Sequence, residues 1–163
     1  VSKVSPLIPF LQAFKSQLET RFADVVNHPG FDTVRTFYVP PPQDIPQYDA
    51  VILWRALRAR EQQKYGLANK DRDDTLVIPG QVESFAAAPV ADDAFIAAAV
   101  RCSSIVDELG DELINNTPDL MPNFQIRKPI VSAIDWLPMI VESGGWVLRG
   151  VFTISLDTRA HNS

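Results

Sequence analysis

Residues 146–157 restrict the fold more than any other stretch. Trp146, Leu148, Phe152, Ile154 and Leu156 fall on one set of alternate positions, and Arg149, Thr153, Ser155 and Asp157 on the other. Successive side chains of an extended chain point to opposite faces. This run therefore predicts a strand with one face on a core and the other on water or a partner. Such a strand needs neighbours beside it and a layer to cover its apolar face.

Two segments can supply that layer. Ser5-Pro6 reads as a helix start, because Ser can cap and Pro suits the first turn. Leu7, Leu11, Phe14, Leu18 and Val25 then recur at three- and four-residue steps, with Ile8, Phe10 and Phe22 beside them. The spacing predicts an amphipathic helix of about five turns, ended by His28-Pro29-Gly30. The second helix is expected over 93–115, capped by Asp92. Phe95, Ile96, Val100, Ile105, Val106, Leu109, Leu113 and Ile114 are expected to face inward. Gly110 weakens it and Asn115-Asn116-Thr117-Pro118 ends it.

The remaining segments read as β or as loop. Residues 31–39 are β-branched and aromatic, a strand stopped by Pro40-Pro41-Pro42. Residues 50–57 fit a helix running to Lys64, but Val51-Ile52 favours a strand that leaves the core after Leu57. Residues 58–74 are polar and carry Gly66 and Asn69, so a long loop or protruding arm is expected. Thr75–Ile78 is a short strand ended by Pro79-Gly80, and 86–89 is a linker. Residues 130–136 and 138–141 are strand pieces, Ser143-Gly144-Gly145 is a turn, and 158–163 is a flexible tail. The expected whole is one α+β domain over 163 residues. Two long amphipathic helices pack on one face of a mainly antiparallel sheet.

Patterns that carry chemistry are sparse. His28, His161 and Cys102 are scattered, without metal-ligand spacing. No nucleophile elbow and no glycine-rich phosphate loop occurs. Cys102 lies among Ala99, Val100 and Ile105, as a buried inert thiol would. With a single cysteine, no intrachain disulfide forms. A net charge of -5 argues against general nucleic-acid binding, which draws on Lys and Arg meeting phosphates. No apolar stretch is long enough for a membrane span, and the first residues lack a charged region followed by an apolar run. The expectation is a cytoplasmic, non-catalytic protein without cofactor, metal, membrane or sequence-specific nucleic-acid partner.

Charge is segregated along the chain. Residues 55–72 hold Arg55, Arg58, Arg60, Lys64, Lys70 and Arg72 against two acids. Residues 91–115 hold six acids against Arg101. Within the second run Asp107, Glu108, Asp111 and Glu112 form two like-charged pairs at four-residue spacing. Opposed patches can meet between copies in a head-to-tail ring, meet within one subunit, or serve only solubility. As candidate subunit contacts the sequence offers Arg55, Arg58, Arg60, Lys64 and Arg72 on one side. Asp107, Glu108, Asp111 and Glu112 form the other.

The layout also resembles a known family. A long N-terminal helix leads to a strand and a proline-bearing loop, then Ile45-Pro46 and Ala50-Val51-Ile52-Leu53-Trp54. A second long helix follows, and the chain closes with Gly144-Gly145-Trp146-Val147-Leu148-Arg149-Gly150-Val151-Phe152-Thr153-Ile154. This is similar to the small tail-terminator and minor tail proteins of long-tailed bacteriophages. The resemblance implies an α/β subunit that forms a ring, typically a hexamer, at the head-proximal end of the tail tube. It implies tube and neck (connector) proteins as partners, a place in the virion after assembly in the host cytoplasm, and no catalytic residues. The polar arm at 58–74 departs from the compact members. The residues alone also leave open a soluble protein-binding or assembly-chaperone module, or an enzyme without a recognisable motif.

Overall fold

The computed structural model describes residues 5–40, 49–55, 60–65, 72–87, 91–120, 124–140 and 145–160. They form an α+β fold of two helices and a mixed six-stranded sheet. Helix α1 spans Leu7–Ala23 and α2 spans Ala91–Asn115. The strands are β1 (Arg35–Phe37), β2 (Ala50–Ile52), β3 (Arg60–Tyr65), β4 (Arg72–Ala87), β5 (Phe124–Ile140) and β6 (Gly145–Ala160). The sheet order is β1-β2-β4-β6-β5, and β3 pairs with β4. Only β1 and β2 run parallel; the other pairs are antiparallel.

The alternating run forms β6, between β4 and β5. Leu148, Phe152, Ile154 and Leu156 are buried with Leu76, Ile78 and Val82 of β4. Both helices cover this face of the sheet. From α1 come Phe10, Phe14, Leu18 and Phe22, and from α2 Ala98, Cys102, Ile105, Leu109 and Leu113. Each fully buried large side chain contributes roughly 2–3 kcal/mol by removal from water.

Helix α1 stops one turn earlier than its pattern predicts. The Asp24 carboxylate accepts hydrogen bonds from the Asn27 backbone N–H at 3.2 Å and side-chain Nδ2 at 2.8 Å. This local turn competes with the helix, and Val25, expected inside, is exposed. At the other end the Leu7 N–H donates to Ser5 Oγ at 3.1 Å.

Residues 50–57 are settled as a strand as far as Ile52. The Leu53 and Trp54 N–H groups then bond to Phe37 and Tyr38 oxygens, and the Arg55 N–H bonds to Pro79 O. Of the strand expected over 31–39, only 35–37 pairs. The expected polar arm is corrected over 60–65 and 72–74. These residues pair as β3 and the start of β4, with Arg60 opposite Val77 and Tyr65 opposite Arg72. Arg-Glu-Gln-Gln-Lys-Tyr carries no apolar alternation, so only its distant ladder reveals it as a strand. The tail expected from 158 onward is likewise corrected: Thr158 to Ala160 belong to β6.

Pro79 and Gly80 do not end β4, and their neighbours explain why. Strand β3 pairs with β4 up to Val77, and β2 pairs with it from Gln81. Pro79 falls in the gap between them, where a missing N–H breaks no ladder bond. Its carbonyl, on the same edge, accepts the Arg55 N–H at 2.9 Å. At Gly80 a Cβ would lie 2.3 Å from the Phe152 ring. Glycine is needed there so that Phe152 can lie across β4. Strand β5 also carries prolines, at 129 and 138, which its place at the sheet edge tolerates. Its register shifts between Arg127 and Ile130 and between Ser132 and Asp135. Lys128, before Pro129, sits at φ 49°.

Helix α2 differs from expectation in which residues face inward. Its buried line is Ala94, Ala98, Cys102, Ile105, Val106, Leu109 and Leu113. Small side chains bring its first half close to the sheet. Phe95, Ile96, Val100 and Ile114, expected inward, are exposed.

Candidate interaction surface

The acidic run on α2 meets a partner within its own chain. Arg21 lies on the apolar arc of α1, only 8% exposed, and its guanidinium faces the C-terminal half of α2. Nε donates to Glu108 Oε2 at 2.7 Å, Nη2 to Asp111 Oδ2 at 2.7 Å and Nη1 to Glu112 Oε2 at 2.9 Å. Burial opposes the charge on Arg21. Hydrogen bonds to Glu112, Asp111 and Glu108 outweigh it and hold the pKa above its ordinary value. Asp111 is held below its ordinary value, first by Arg21 and then by Asn115. His28 Nδ1 stands 3.4 Å from Glu108, and Asn116 Nδ2 donates to Glu112 at 3.2 Å.

Three of the four acids proposed as subunit contacts thus join α1 to α2. Asp107 is exposed. Three carboxylates on one guanidinium leave the cluster net negative, so it keeps an attraction for a further cation. An arginine within the stripe Phe10, Phe14, Leu18 and Phe22 is the signal that an acid partner is required.

The basic set is more dispersed. Arg55 is half-buried where the chain leaves β2. Arg60 and Lys64 lie on β3, opposite Val77 and Asp73, and Arg72 opens β4 opposite Ala160. Arg58 and Lys70 lie outside the described residues.

A second ionic link was not legible in the sequence. Asp49 accepts from Arg101 Nε at 2.7 Å and from Ser84 Oγ at 2.7 Å. Arg101 also stacks over Phe31, 4.9 Å from the ring centre. It ties α2 to the entry of β2.

Among the described residues, large apolar side chains stand exposed on α2 and on β5, as well as at Ile8, Val25, Val26, Tyr38, Val39 and Ile114. The run Ala94–Val100 is apolar at every position, and a helix apolar all round buries more than one face. Its inner face meets the sheet. Its outer face shows Ile96 57% and Val100 62% exposed, with Phe95 beside them. The other surface is on β5, where Ile130 is 50% and Leu137 47% exposed, with Trp136 between them in sequence. Register sets Ile130 opposite Ser155 and Leu137 opposite Arg149, positions on the sheet face away from the helices. Toward β2 that face is buried at Ala50, Ile52, Gln81 and Glu83, and Glu83 accepts from Arg149 Nε at 2.8 Å.

Cys102 is inside, with Sγ 3.4 Å from Leu148 O. Burial, aided by Asp49 and Glu83, pushes the thiol up to about 12. The thiolate is the reactive form. Folded protein at pH 8 is therefore expected to resist iodoacetamide and to react only once unfolded. Labelling at the folded-state rate of a free thiol would contradict this placement.

A cleft of about 310 Å³ between the helices is lined by Ser16, Gln17, Thr20, Arg21, Asp24, His28 and Glu112. Its Arg21 and Glu112 are bonded to each other. Among the described residues no group of three or more His, Cys, Asp or Glu is placed to hold a metal ion. Among them, too, no helix is long and apolar enough to cross a membrane. Compared with known proteins, the chain matches no family model and no curated sequence.

Proposed function

We propose that this chain is a structural assembly protein of the tail-terminator kind. Copies of it form a ring, a hexamer by that resemblance, which caps the tail tube of a long-tailed phage and joins it to the neck. The observation that carries this reading is the exposed apolar surface on both layers of the fold. Ile96 and Val100 stand on the outer side of the helix layer, and Ile130 and Leu137 on the open side of the sheet. Two such surfaces on one small domain favour contact with more than one neighbour at once, as a ring subunit has. The element order supports the same reading: long helix, strands, long helix, and a closing strand from Gly145.

The hairpin of β3 and β4 carries Arg60, Lys64 and Arg72 beside Glu61, Asp73 and Asp74, and in this reading its cations meet a neighbour. The residual negative charge around Glu108, Asp111 and Glu112 complements them. Reversing Arg58 and Arg60 together to glutamate is expected to impair the ring. Native mass spectrometry of wild type and variant reads this directly. A ring unchanged in mass and abundance would remove the basic arm from the interface.

A further inference from the structure

We draw no further inference here: the strongest candidate, the exposed apolar stripe of Phe95, Ile96 and Val100 on the outer side of α2, carries none, because nothing among the described residues shows what covers it.

Discussion

Phe152→Ala is expected to lower the unfolding free energy by about 3–5 kcal/mol, the usual cost of deleting a fully buried phenyl ring. For a chain of this length that is a fall of roughly 10 °C in Tm. The ring reaches across β4, and Gly80 is its seat. Gly80→Ala tests the seat separately. Alanine in a strand ordinarily stabilises by about 0.5–1 kcal/mol relative to glycine. Here its Cβ would meet the ring at 2.3 Å, and the ring, fully enclosed, has nowhere to move. Overpacking of this kind costs about 1–3 kcal/mol, which outweighs the gain. Gly80→Ala is therefore expected to destabilise the wild type and to cost far less in a Phe152→Leu background. Chemical denaturation of the four proteins yields the coupling. Strict additivity would mean that the ring does not depend on the glycine.

Arg21→Met is expected to lower stability by about 2–3 kcal/mol. Removing one partner of a buried ion pair costs about 3–5 kcal/mol, and the exposure of Asp111 reduces that figure. The pH dependence carries a distinct signature. The Asp111 carboxyl titrates below its ordinary 3.8 in the folded protein, mainly because of Arg21. Its contribution is complete above that ordinary value and is lost as pH falls through the lowered one. Arg21→Met removes the main cause. The gap in Tm between wild type and variant is then expected to be widest near neutral pH and to shrink below about pH 4. Thermal melts at pH 7 and pH 3 measure it. A gap that does not narrow in acid would mean that Arg21 acts by packing alone.

Sequence periodicity resolved the elements whose burial is one-sided. Strand β6 alternates cleanly because β4 and β5 flank it and helices cover one face only. Helix α1 is legible because it buries a single arc. The pattern failed where pairing or burial departs from those conditions. Strand β3 is polar throughout and owes its form to β4. The proline and glycine at 79 and 80 punctuate a free chain, yet here they sit where two neighbouring strands leave a gap and a phenyl ring needs room. In α2 the bulky residues were assigned to the core, but Ala94, Ala98 and Cys102 pack there because the helix lies close to the sheet. Of the candidate contacts, the acids on α2 were singled out by their spacing as a face for a neighbouring subunit, whereas three of them bond to Arg21 of their own chain. Their partner Arg21 was missed, although a guanidinium within an apolar stripe demanded one.

The order in which strands are made differs from the order in which they lie. Strand β5 precedes β6 in the chain, yet β6 separates it from β4. Strands β5 and β6 are close in the chain and pair as a local hairpin, whereas β4 meets β6 only across a long stretch of chain. Each β4–β6 pair closes a loop of some sixty to ninety residues, spanning all of α2. Loop closure on that scale slows folding. The β4–β6 seam, rather than the β5–β6 hairpin, is therefore expected to set the pace of folding.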